Sequence, residues 1–147
     1  MPRSSSEAPA KLDPGLAAGL SASVHLDVTD ADTALALGSG DVPVLGTPRL
    51  VALCEEASCR AVGGHLGPGR TSVASRIQFD HLAPVPVGAA VTAEATLERV
   101  EGRRLVFTVS VRLRSDAQAG LVGAGRLTRV LVDRAKFMAK AAGAACG

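Results

Sequence analysis

Alternating apolar and polar positions divide this chain into a strand, one long helix and four further strands. SASVHLDVT (21–29) changes character every second residue, as a half-buried strand does. DADTALALGSGDVPVLG (30–46) breaks that rhythm at Gly38, Gly40, Pro43 and Gly46 and reads as a loop. GTPRLVALCEEASCRAV (46–62) follows a 3.6-residue period, opens on Thr47 and Pro48 and meets Gly63 and Gly64 at its end, which predicts a helix. The period then returns to two. TSVASRIQF (71–79) is the next strand. In AVTAEATLERV (90–100), Val91, Ala93, Ala95 and Leu97 share one face, and Thr92, Glu94, Thr96 and Glu98 share the other. EGR (101–103) marks a hairpin turn into RLVFTVSVRLR (104–114), whose Leu105, Phe107, Val109, Val111 and Leu113 again line one face. GAGRLTRVLVD (123–133) is the last strand, and RAKFMAK (134–140) closes with a short helical turn. This order predicts an α+β protein, one long helix against an antiparallel sheet of about five strands.

The 147 residues suit one domain with one core, expected over 15–140 between a disordered Ser/Pro/charged leader (1–14) and a flexible small-residue tail (141–147). Apolar residues make up 47% of the chain but aromatics only 2%, so the core must be aliphatic. Nucleic-acid binding is not expected, because stacking platforms need aromatic faces and a net charge of +2 gives little phosphate attraction. No apolar run approaches the roughly 20 residues that span a membrane. GLAAGLSASV (15–24) is too rich in small residues and too interrupted by serine for a signal-peptide core. Three cysteines without a C-x-x-C pair predict free thiols in a cytoplasmic protein and no metal site.

The helix carries adjacent glutamates. At about 100° per residue, Leu50, Leu53, Cys54, Ala57 and Ala61 form the core stripe. Glu56 falls beside Arg49 and Arg60 on one flank and forms a weak surface pair with Arg60. Glu55 falls on the opposite flank with Val51, Ser58 and Cys59, where no charge answers it. Periodicity leaves that flank either open to water or covered by sheet, and under sheet Glu55 becomes a general-base candidate. Thr47 reads as the N-cap, with Pro48 at the first helical position, and a helix start can also stabilise an oxyanion. His25 lies mid-strand and His65 in a glycine-rich loop. His81 lies at a strand-to-turn junction, rigidly held yet reachable, and is the acid-base candidate.

GSGDVPVLGTPRLVALCEEA, FDHLAPVPVG, GRRLVFTV and DRAKF, in this order, resemble the fluoroacetyl-CoA thioesterase-like family of hotdog-fold proteins, from about residue 16 to residue 140. The linked T-P-x-x-V-x-x-x-E and H-x-A-x-x-P-V-G patterns carry the resemblance. It implies a long helix wrapped by an antiparallel sheet, a homodimer joined at sheet edges and an active site at the dimer interface. It implies an acyl-CoA thioesterase that needs no cofactor, with Thr47, Glu55 and His81 as the catalytic set and Arg129 near the substrate. Thr47 is implied either as covalent nucleophile or as the residue that orients a water, with Glu55 activating it and His81 moving a proton. Two positions depart from the family pattern: Ala74 stands where glycine approaches the acyl group, and Leu127 replaces a histidine. Two other readings use the same residues: an acyl-thioester hydratase or dehydratase on the same fold, and a non-enzymatic acyl-CoA binding protein.

Overall fold

The computed structural model describes residues 15–116, 118 and 120–146. The proposed leader (1–14) lies outside the described residues. In chain order the elements are β1 (Ser21–Asp27), a 3-10 turn (Asp30–Asp32), α1 (Ala34–Leu37), α2 (Thr47–Gly63), β2 (Arg70–His81), β3 (Ala90–Glu101), β4 (Arg104–Leu113), β5 (Leu121–Asp133) and α3 (Arg134–Cys146). The strands form one antiparallel sheet in the order β1-β3-β4-β5-β2. This is the α+β layout that the hydrophobic pattern predicts. Two segments differ from it. The expected loop 30–46 contains the 3-10 turn and α1, four residues too short to show a helical period. The expected helical turn at 134–140 continues as α3 through Cys146, into the stretch read as a tail.

Burial of one stripe explains how α2 sits. Leu50, Cys54 and Ala57 are fully buried, and Leu53 and Ala61 nearly so, against β1 and β3. The facing residues of β3 and β4 are those that alternation selects: Val91, Ala93, Ala95, Leu97, Leu105, Phe107, Val109 and Val111 all lie in the core. Ala57, Ala93 and Ala95 keep the helix axis close to the strands, so a core with one buried aromatic, Phe107, still fills. Glu56 points to solvent and pairs with Arg60 at 2.7 Å, as its spacing predicts.

β2 is an edge strand, and it changes phase part-way. Ala74 pairs with Arg129 and Ile77 with Leu127, with a register shift between Ala74 and Arg76. An extra residue in one strand reverses which side chains face the helix. Even-numbered Ser72 and Ala74 therefore face the helix side before the bulge, and odd-numbered Ile77, Phe79 and His81 after it. The second half of β2 also approaches β5 closely. A side chain at Gly123 would meet the Phe79 ring at 2.5 Å, and one at Gly125 would run into the Gln78 carbonyl. These two glycines let His81 lie opposite Gly123 at the end of the strand.

Two outcomes follow from this packing. Gly125→Ala must push β2 away from β5, and overpacking of this kind costs about 1–3 kcal/mol; thermal unfolding measures it as a lowered Tm. Cys54 is buried and Cys59 exposed. Burial, helped by the Glu55 carboxylate, pushes the Cys54 thiol up to about 12. Iodoacetamide at pH 8 therefore alkylates Cys59 in the native protein and Cys54 only after unfolding, as peptide mass mapping reports.

Candidate active site

The start of α2 meets the end of β2. Thr47 Oγ1 lies 2.8 Å from His81 Nδ1. The other ring nitrogen, Nε2, lies 3.0 Å from the Ala83 carbonyl oxygen. A carbonyl can only accept, so Nε2 carries the proton. In the neutral imidazole Nδ1 is then the acceptor, and the Thr47 hydroxyl donates to it. A hydroxyl donating to a histidine whose far side is fixed by a third group is the arrangement of an activated nucleophile. Here the orienting group is a main-chain carbonyl. The turn that carries it is held by Leu82 and Ala83 N–H groups, both donating to the Val122 carbonyl. Thr47 is exposed and His81 half-buried, so the pair is reachable from solvent.

Thr47 does not cap the helix, contrary to the reading from its position. The N-cap is Gly46, and Thr47 is the first helical residue, with Pro48 behind it. The reason is steric. A side chain at residue 46 would lie 3.0 Å from the Ala34 backbone and from the end of Leu37, tighter than ordinary contact, so glycine is favoured where the loop turns into α2. With the cap taken by glycine, the Thr47 hydroxyl is free to engage His81. Among the described residues the Thr47 N–H has no acceptor, Pro48 has no N–H, and the Arg49 N–H already donates to Gly46. Among the described residues, the residue that bears the hydroxyl therefore also carries a main-chain N–H without an acceptor, at the positive end of a helix dipole.

Glu55 lies on the flank of α2 that the helical wheel assigns to it, half-buried. Its carboxylate makes no hydrogen bond or ion pair with a described residue. It does not meet Thr47 within the chain: eight residues separate them, about 12 Å along a helix axis. Glu55 has neighbours of its own. Ser58, fully buried, donates to the Glu55 main-chain carbonyl at 2.7 Å. Arg129 is only 6% exposed. Its Nη1 reaches Ser58 Oγ at 3.3 Å, its Nε reaches Ser72 Oγ at 2.7 Å, and its Nη2 donates to the Ser72 carbonyl at 2.9 Å. Ala74 is exposed beside Arg129 on β2. The chain thus holds two separate groups: Thr47 with His81, and Arg129 with Ser58, Ser72 and its strand neighbour Ala74, joined to α2 through Ser58 at the Glu55 main-chain carbonyl. The serines were missed in the sequence because neither stands in a recognisable motif. Leu127, the second departure from the family pattern, is fully buried in the core. His25 spends its Nδ1 on Thr92 at 2.8 Å, consistent with a structural part. No group of three or more potential metal ligands occurs among the described residues. No described helix is long and apolar enough to cross a membrane.

The comparison with known proteins agrees with this architecture. The family model for fluoroacetyl-CoA-specific thioesterase matches residues 28–135. The fluoroacetyl-CoA thioesterase of Streptantibioticus cattleyicolor is 38% identical over 97 residues, 66% of this chain and 67% of that protein. The solved structure of the fluoroacetyl-CoA thioesterase FlK superimposes with a TM-score of 0.79 at 31% identity, covering 88% of this chain and 98% of that one. A hot-dog-like protein from Thermanaerovibrio acidaminovorans, at 24% identity, shares the fold alone, with a TM-score of 0.78 over 94% of this chain and 96% of that one. A family match over most of the chain, joined to one helix laid on a five-stranded antiparallel sheet, places this chain in the fluoroacetyl-CoA-specific thioesterase family of hotdog-fold proteins.

Proposed function

We propose that this protein is an acyl-CoA thioesterase, cleaving a thioester to a free acid and coenzyme A, with Thr47, His81 and Glu55 as its catalytic residues. The observation that carries the reading is the oriented Thr47–His81 hydrogen bond. The Thr47 oxygen attacks the thioester carbonyl carbon while its proton passes to His81 Nδ1. The oxyanion takes the free Thr47 N–H and the positive end of α2. The intermediate collapses with loss of the C–S bond, and His81 returns the proton to the departing sulfur. Water then cleaves the Thr47 ester by the same route in reverse, releasing the acid. Every proton in these steps has an owner among Thr47, His81 and water, so the reading calls for no cofactor.

Glu55 enters through a second protomer. β2 is an edge strand of 12 residues, and on its outer side no described strand pairs with it. A long unpaired edge is a ready surface for another strand. α2 covers β1 and β3 more than β2, which leaves Ile77 and Phe79 only half-buried. In a homodimer with two β2 strands side by side and antiparallel, the early half of one strand lies against the late half of the other. Glu55, Ala74 and Arg129 of one protomer then lie towards Thr47 and His81 of its partner. Glu55 aligns the water that cleaves the ester, and Ala74 and Arg129 border the acyl group, the Ala74 methyl narrowing its space. Free thiols at Cys54 and Cys59 suit the reducing cytoplasm.

The hydratase alternative calls for a histidine paired with a carboxylate. His81 is paired instead with a hydroxyl and a main-chain carbonyl, which favours thioester cleavage. A non-enzymatic acyl-CoA binder has no use for a hydroxyl aimed at an oriented imidazole.

Turnover is followed by release of free thiol from a panel of acyl-CoAs. Thr47→Ala and His81→Ala each lower kcat by roughly 10²–10⁴-fold, the usual worth of placed acid-base help, and Thr47→Ser keeps much of the rate. His81 must be unprotonated to accept the Thr47 proton. Thus kcat/KM falls as the pH is lowered, and His81→Ala removes that limb. Glu55→Gln loses most turnover while Glu56→Gln keeps it; equal loss from both would overturn the assignment. Sedimentation run beside the assay shows a dimer, with activity falling as the dimer dissociates. A fully active monomer contradicts the shared site.

A further inference from the structure

A buried carboxylate outside the catalytic set grips the start of α2 on both sides of Thr47. Asp32 ends the 3-10 turn and is 8% exposed. Its main-chain carbonyl accepts the Gly46 N–H at 2.9 Å, immediately before Thr47. Its side-chain Oδ1 accepts Arg49 Nε at 3.0 Å, two residues after Thr47. Its Oδ2 accepts the Thr29 N–H at 2.8 Å and the Thr29 hydroxyl at 3.0 Å, which anchors the carboxylate to the cap of its own 3-10 turn, two residues past β1. Between the two held residues, Thr47 and Pro48 make no main-chain hydrogen bond through nitrogen with a described residue. The backbone on either side of Thr47 is therefore tied to Asp32, and its hydroxyl to His81.

We propose that Asp32, acting through Arg49 and Gly46, is a positioning residue that holds Thr47 in register with His81. This rests on the thioesterase reading above. Burial alone would raise the Asp32 carboxyl, but the hydrogen bonds from Thr29 and the Arg49 charge outweigh it and hold the group below its ordinary value. The carboxylate is therefore ionised, and the latch closed, throughout the neutral range. The sign for stability follows. A carboxyl held low in the folded state contributes fully above the unfolded value of about 3.9, and that contribution is lost as the pH falls through the folded value.

The geometry leaves two roles to separate, an anchor that only stabilises the fold and a latch that sets the reacting atoms. A misplacement of about 1 Å can cost on the order of 10²-fold in rate. Asp32→Asn keeps size and an acceptor for Thr29 but removes the charge opposite Arg49. Arg49→Gln removes it from the other side and stands in if Asp32→Asn does not fold. For each folded variant, a latch predicts a 10- to 100-fold loss in kcat with KM for the acyl-CoA changed less than about twofold. In the Thr47→Ala background the same substitutions then cost nothing further in the residual rate, because the group they position is gone. An anchor lowers Tm but leaves kcat unchanged, or lowers the residual rate in the Thr47→Ala background as well, and either result overturns the proposal. A readout free of turnover is the His81 imidazole ¹⁵N spectrum, where loss of the Thr47 donor shifts Nδ1 and leaves the Nε2–H of the Ala83 contact in place. If the wild-type protein cleaves no acyl-CoA, the thioesterase reading fails, and the Nδ1 shift in Asp32→Asn still decides the latch. An unmoved Nδ1 signal in both variants sinks it.

Discussion

The apolar stripe of α2 against β1 and β3 is the contact on which the rest of the molecule depends. Among the described residues the helix packs chiefly on β1 and β3, so Leu50, Leu53, Cys54, Ala57 and Ala61 are covered mainly by strands. Fully burying a leucine contributes about 1.5–3 kcal/mol, so turning the helix by even one position would expose several residues at once. The stripe therefore fixes the rotation of α2, and the rotation fixes everything the helix carries. Glu56 must face water beside Arg60. Glu55 and Ser58 must face the flank towards β5 and β2. Thr47 must project at the end nearest β2.

That constraint divides the chemistry in two. Helical rise keeps Glu55 about 12 Å along the axis from Thr47 whatever the side chains do. The bulge in β2 performs a matching division on the sheet. By changing phase between Ala74 and Arg76, it lets Ser72 and Ala74 face the helix side near Glu55 and lets His81 face the same side near Thr47. Without the phase change, a strand of this length would present only one of the two groups to the helix. One α-helix and one edge strand thus each contribute to both groups, from opposite halves. This arrangement suits a two-fold axis, because antiparallel pairing of the edge brings unlike halves together.

The elements that could be read from the sequence are those whose burial is periodic. β3 and β4 alternate cleanly because each is covered on one face, and the α2 stripe is regular because it is covered along its whole length. The Glu55/Glu56 split could be read for the same reason. What periodicity could not supply was the neighbourhood of Thr47. The N-cap falls on Gly46, where the Ala34 backbone comes close, a contact between segments that no local pattern encodes. α1 is too short for a period to register. The partners of Arg129 come from strand pairing and helix rotation together, so Ser58 and Ser72 look like ordinary polar residues until both are known. Thr47, Glu55 and His81 stood out because the loop and helix signals around them are strong; the hydrogen bond that joins only two of them did not.

The two buried charges show how the fold treats the two groups differently. Asp32 has a full counter-charge in Arg49 and main-chain and hydroxyl donors in Thr29, the complete satisfaction that lets a buried carboxylate remain ionised. It can therefore serve as a fixed point for the start of α2. Arg129 is buried to a similar degree, yet its partners are two hydroxyls and one carbonyl, all neutral. A guanidinium taken out of water among neutral acceptors keeps much of its electrostatic field. The nearest flank of α2 bears Glu55, whose carboxylate has no partner among the described residues. Near the Thr47 end the buried charge of Asp32 is thus paired with Arg49, while near the Glu55 end a cation and an anion do not pair. The two ends of α2 thus differ in kind: one presents a hydroxyl bonded to an imidazole, the other a guanidinium among neutral acceptors beside a carboxylate that has no partner among the described residues.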